Sequence, residues 1–147
     1  MHYQTKNIEI LLIEDNPGDV RLIKEAFKES KILNNFSVAF DGEQALDFLY
    51  KKGGFSNCPK PDIIFLDLNL PKKSGIEVLS EIKSHPELFS IPVVILTVSS
   101  AAENILKSYN LNANCYVTKP IDLDQFIDVV KTIEGFWFNA VKLPSLN

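Results

Sequence analysis

The sequence predicts a doubly wound α/β fold, a five-stranded parallel sheet with helices on both faces. Three observations predict it. Short apolar runs alternate with helical patterns along the whole chain. Two of the runs, residues 62–67 and 91–96, are almost continuously apolar, as strands buried on both faces read. Helix start signals stand between the runs, which is the alternation of βα units rather than of hairpins.

The first strand is expected over residues 8–13, an apolar run too short for a helix. Asn16-Pro17 opens the first helix, with Asn as N-cap and Pro at the first helical position. Val20, Ile23 and Phe27 follow at helical spacing. Residues 36–40 alternate weakly and read as the second strand. Asp41 precedes a helical pattern through Ala45, Leu46 and Leu49. Gly53 to Pro61 reads as a surface loop before the third strand at 62–67. Ser74 with Glu77, and Ser100 with Glu103, match the capping box, in which cap and third residue satisfy each other's amides. The fourth strand is expected at 91–96 and a short fifth at 115–117. Asp122 with Gln125 opens the last helix, which continues through Phe126, Val129, Val130 and Ile133. Right-handed crossovers then bring the strand ends to one edge, where such sheets bind ligands.

Composition bounds the function. A chain of 147 residues, 46% hydrophobic and 23% charged, has the balance of one ordinary globular domain. Fifteen basic against 19 acidic residues give a net charge of −4, without the basic footprint of a nucleic-acid binder. No apolar run approaches the roughly 20 residues that span a bilayer, and the start lacks the basic and apolar regions of a signal peptide. Cys58 and Cys115 stand far apart without metal-site or redox spacing, so two reduced thiols in a cytoplasmic protein are expected.

The polar residues at the strand ends carry the chemistry. Glu14-Asp15 end the first strand, Asp67 the third, Thr97 the fourth, and Lys119 follows the fifth. Each alone reads as a helix cap or loop residue; together, on one edge, they form a set. Three carboxylates brought together repel, and a divalent cation neutralises them; oxygen ligands favour Mg²⁺. A hydroxyl and a lysine added to this suit a phosphoryl group, whose charge the cations offset and whose oxygens the hydroxyl can reach.

These segments resemble a response-regulator receiver domain of two-component signalling from about Ile8 to Ile133. ILLIEDNPGD resembles the family's acidic-pair strand, LDLNLPKKSG its phosphoacceptor segment, ILTVSS its threonine segment and CYVTKP its lysine-proline segment. The resemblance implies a flavodoxin-like (βα)5 fold and phosphorylation of Asp67 by a sensor histidine kinase. It implies Mg²⁺ held by Asp15, Asp67 and the backbone carbonyl of Asn69, with Glu14 contacting the metal through water. It also implies that Thr97 and Lys119 bind phosphoryl oxygens, that Tyr116 turns inward on activation, and that Lys119-Pro120 is cis. The domain then spans 8–133, with an N-terminal extension at 1–7 and an extended last helix and tail at 134–147. The long loop before Pro61, the phosphoacceptor segment and GFWFNAVKLP resemble small stand-alone regulators that partner phytochrome-type kinases. Val98 departs from the pattern, since the family usually has a small residue after the threonine; a β-branched side chain there narrows access to the phosphoaspartate.

The remaining features have plainer readings. His2 and His85 are poor candidates for a catalytic base, and Lys72-Lys73 reads as a solvated loop pair. Phe136, Trp137 and Phe138 cannot all face one side of a helix, because successive residues are about 100° apart. The surplus apolar surface, prolonged by Val141 and Leu143, predicts a homodimer through the last helix and tail. A slowly self-dephosphorylating switch that acts by protein contact, rather than an enzyme with its own output module, is the expected function. A phosphatase of the haloacid-dehalogenase type wants a carboxylate two residues after its aspartate, and here that residue is Asn69. A pseudo-receiver that only binds is the other alternative, and the complete acidic set tells against it.

Overall fold

The computed structural model describes residues 7–98 and 115–145; the side chains of Thr97, Cys115 and residues 136–145 lie outside what is described. The chain runs β1 (Ile8–Ile13), α1 (Pro17–Lys28), β2 (Asn34–Ala39), α2 (Gly42–Leu49), a 3₁₀ turn (Gly53–Phe55), β3 (Ile63–Asp67), α3 (Gly75–Ser84), β4 (Val93–Thr97), β5 (Cys115–Thr118) and α4 (Leu123–Ser145). The helix expected to open at Ser100 falls outside the described residues. All pairings are parallel, in the order β2-β1-β3-β4-β5.

The apolar runs form strands because the sheet is covered twice. Leu11 and Ile13 of β1 and Ile64 and Leu66 of β3 face one core, with Leu46, Leu49, Val78 and Ile82 from α2 and α3. Ile10 and Leu12, Phe65, and Val94 and Leu96 face the other, with Ile23 and Phe27 of α1 and Phe126 and Val130 of α4. Phe27, Phe65 and Phe126 meet there with centroids 5.5–6.2 Å apart in edge-on and tilted pairs, a favoured aromatic geometry. Lys31 N–H donates to Glu134 Oε1 at 3.1 Å, tying the end of α1 to α4.

The caps behave as their chemistry dictates. Asn16 Oδ1 accepts from Asp19 N–H, Asp41 Oδ1 from Gln44 N–H and Ser74 Oγ from Glu77 N–H. The Ser74 box differs from expectation in its return arm, because Glu77 Oε1 accepts from the Ser74 hydroxyl at 3.2 Å. Cys58 is a free, half-buried thiol. No helix of the described residues is long and apolar enough to cross a membrane.

Candidate functional site

The order in which successive strands are laid down reverses at β1, which has β2 on one side and β3 on the other. A crevice opens at the carboxyl ends of the strands at such a point. Glu14 and Asp15 follow β1, Asp67 ends β3, and oxygens of the three carboxylates lie within 4.8 Å of one another. Glu14 and Asp67 are buried, 0% and 2% exposed, whereas Asp15 is exposed. Asp67 Oδ1 accepts from Asn69 N–H at 3.0 Å.

Lys119 comes across from the far end of β5, following a strand two places from β3 in the sheet. Its Nζ lies 2.5 Å from Glu14 Oε1, 3.0 Å from Asp19 Oδ2 and 3.3 Å from Asp67 Oδ2. The Lys119-Pro120 peptide is cis, as the resemblance implied. Burial opposes the ammonium, but Glu14 and Asp19 more than offset this and raise the Lys119 pKa above its ordinary value. Glu14 is pushed the other way for an acid, up to about 7, by burial first and by its contact with Asp67 second, with Lys119 pulling it back. Glu14 Oε1 has no aligned hydrogen-bond donor despite the short contact with the ammonium. A buried carboxylate oxygen lacking such a donor, beside two further carboxylates, is the donor set of an oxygen-ligated divalent cation, and the residues present fit that group.

The β3–α3 loop follows Asp67 and turns tightly. Lys73 N–H donates to Pro71 O at 2.8 Å across Lys72, whose φ is 67°. That bond and sign of φ mark a γ-turn of the strained kind. The neighbours hold it in place. Gly42 N–H donates to Pro71 O at 3.4 Å, and Lys73 Nζ lies 2.7 Å from Glu81 Oε2. Glu81 in turn accepts from Tyr50 OH at 3.1 Å. Lys73 is therefore not the freely solvated residue expected of it; it joins the loop to α3 and, through Glu81, to Tyr50 at the end of α2.

The structure brings Glu14, Asp15, Asp67 and Lys119 together and sets Asn69 beside them, exposed, two residues beyond Asp67. Thr97 ends β4, paired with Thr118 of β5; its side chain is outside the described residues. Val98 is 61% exposed and Tyr116 37% exposed.

The profile of the response regulator receiver domain matches residues 10–131. The chain belongs to that family. This receiver is 46% identical over 136 residues to response regulator Rcp1 of Synechocystis, covering 92% of each chain. The crystal structure of the phosphorylated cyanobacterial phytochrome response regulator RcpA superposes with a TM-score of 0.80, at 46% identity, over 92% of this chain and 96% of that one. The Mn²⁺-bound form of response regulator Rcp1 gives a TM-score of 0.77 at 46% identity, over 88% and 94% of the two chains. The receiver fold expected from the sequence is thus the fold observed.

Sequence reasoning missed Asp19 as a partner of Lys119. An acid in the first turn of a helix reads as a favourable charge for the helix dipole, which hides any second contact.

The elevated Glu14 pKa has a consequence that melting experiments can check. A carboxyl whose folded pKa lies above its unfolded value binds more protons when folded. Its contribution to stability is present below about pH 4.5 and is lost as pH rises through about 7. In metal-free buffer, denaturant midpoints of wild type should therefore fall relative to Glu14→Gln between pH 5 and pH 8. Parallel pH profiles would show that Glu14 does not carry the proton.

Proposed function

We propose that this response regulator is a phosphorylation switch in which Asp67 accepts a phosphoryl group from the phosphohistidine of a sensor histidine kinase. The observation that carries the reading is the buried Asp67 carboxylate, placed between an acidic cluster and the Lys119 ammonium 3.3 Å from its Oδ2. Asp67 attacks phosphorus in line with the leaving imidazole; an O–P bond forms as the P–N bond breaks, and the histidine side chain departs with that electron pair. Asp15, Asp67 and the backbone carbonyl of Asn69 would hold Mg²⁺, with Glu14 reaching it through water. When bound, the ion neutralises charge on the transferring phosphoryl group. Lys119 and Thr97 hold the phosphoryl oxygens of the product.

Signalling follows from a change of surface rather than from an enzymatic output. Thr97 moves toward the phosphoryl group and leaves space for Tyr116, whose side chain is partly exposed in the unphosphorylated chain. Phosphorylation shifts this equilibrium only through its different contacts in the two states. Val98, next to Thr97 in the chain, narrows access to the phosphoaspartate. A phytochrome-type kinase is the partner that fits best, because RcpA, 46% identical, is a phytochrome response regulator. The domain at 8–133 receives the signal in the cytoplasm, while the C-terminal extension of the last helix and the tail, 134–147, pair two copies.

The test is phosphotransfer from a phosphorylated phytochrome-type kinase, with acetyl phosphate as a small-molecule donor. Label should appear with Mg²⁺, vanish with EDTA, and be released by hydroxylamine, which cleaves acyl phosphates. Equal labelling with and without the metal would overturn the reading.

A further inference from the structure

Asp19 sits at the third position of α1, where the Asn16 cap fixes it: Asn16 Oδ1 accepts from its N–H at 3.0 Å. Pro17 and Gly18 fill the two positions between. Gly18 faces the cap closely, since a Cβ there would lie 3.2 Å from Asn16 Oδ1. The capped segment Asn16-Pro17-Gly18-Asp19 thus presents a carboxylate to the Lys119 ammonium. Asp19 Oδ2 is 3.0 Å from Nζ, between Glu14 at 2.5 Å and Asp67 at 3.3 Å. The Lys119 side chain is only 11% exposed and that of Asp19 21%, so the pair is little screened by water. A buried cation must be paired, and here three carboxylates share one ammonium.

Two of those three carboxylates have other work. Glu14 and Asp67 belong to the cluster of oxygens that can take a divalent cation; Asp19 does not. A lysine drawn wholly onto Glu14 and Asp67 would compete with the incoming cation for both. We propose that Asp19 is a positioning residue that draws the Lys119 ammonium toward α1, so that the lysine is not held wholly by Glu14 and Asp67 when a divalent cation binds them. The inference rests on the proposed reading that this cluster takes the metal and Asp67 the phosphoryl group. Asp19 acts through Lys119, without touching the metal.

A double-mutant cycle with Mg²⁺ as the probe tests it. Mg²⁺ affinity is measured by amide NMR titration for wild type, Asp19→Asn, Lys119→Met and the double variant, with melting temperatures recorded alongside. Asp19→Asn should weaken Mg²⁺ binding by about three- to five-fold, the scale of one partly screened ion pair. In the Lys119→Met background the same substitution should change affinity little. Asp19→Glu, which keeps the carboxylate, should restore much of the wild-type affinity without passing through a Lys119 variant. Unchanged affinity in Asp19→Asn would overturn the proposal. So would an equal loss with and without Lys119, because that is the signature of the Asp19 charge acting directly. A role confined to the helix dipole would lower the melting temperature and leave Mg²⁺ affinity alone, which also overturns it. Wild type that binds no Mg²⁺ would instead overturn the underlying reading of the site.

Discussion

Asp67→Asn should abolish phosphoryl labelling by both kinase and acetyl phosphate while the protein stays folded. The amide lacks the nucleophilic electron density of a carboxylate and cannot form an acyl phosphate. The remaining carboxylates do not substitute for it. Glu14 is fully buried behind the lysine, and Asp15 is exposed, outside the contact with Lys119. Stability should not suffer, because Asp67 is a source of repulsion in the metal-free cluster: its proximity is among the causes that push Glu14 up to about 7. Relief of that repulsion should leave the melting temperature equal to or above wild type at pH 7.5 without metal. The measurement pairs autoradiography or intact mass with a melt of each protein. Label on the variant above the background of a heat-denatured control would move the acceptor elsewhere in the chain.

The strands and their order along the chain were legible because a parallel sheet imposes a strong signal, apolar residues on both faces. β1 runs over Ile8–Ile13 as expected, with Ile8 and Ile10 through Ile13 all buried. The edge strand β2 was harder. Among the described residues it pairs only with β1, and it is mostly half-buried, so Asn34 and Asn35 lie in it although neither looks like a strand residue. At β4 the strand begins at Val93 rather than residue 91, after Pro92, whose nitrogen has no hydrogen to donate. The acidic residues and Lys119 were legible as a set because each stands at or just beyond a strand end. Lys73, Glu81 and Asp19 were not, since their partners lie in other elements and no local spacing encodes them. Gly75 was likewise hidden. Beside Ser74 it looks like an incidental neighbour of a cap, and only the packed fold shows what it touches.

That glycine should tolerate even one added methyl group badly. Gly75 begins α3 and is buried against the strand it follows. An added Cβ would lie 2.3 Å from the Asp67 carbonyl oxygen and 2.5 Å from Leu68 Cα. Both are backbone atoms, so no flexible side chain can swing away, and Gly75 N–H donates to Leu68 O at 3.1 Å, pinning the same contact. Gly75→Ala must push α3 off β3 or shift the backbone that carries the phosphoacceptor. Overpacking of this kind costs about 3 kcal/mol, which for a domain of this size lowers the melting temperature by about 10 °C. The labelling rate of whatever remains folded should fall as well, because a displacement on the order of 1 Å at a reacting group can cost about 100-fold. Gly54→Ala is the internal comparison: nothing lies within 4 Å of a Cβ there, and its melting temperature should stay close to wild type. Thermal melts of the two variants, with acetyl phosphate kinetics below the lower transition, separate the effects. If Gly75→Ala melts and labels like Gly54→Ala, then α3 does not press on the Asp67 backbone, and the loop rather than the helix holds the phosphoacceptor in place.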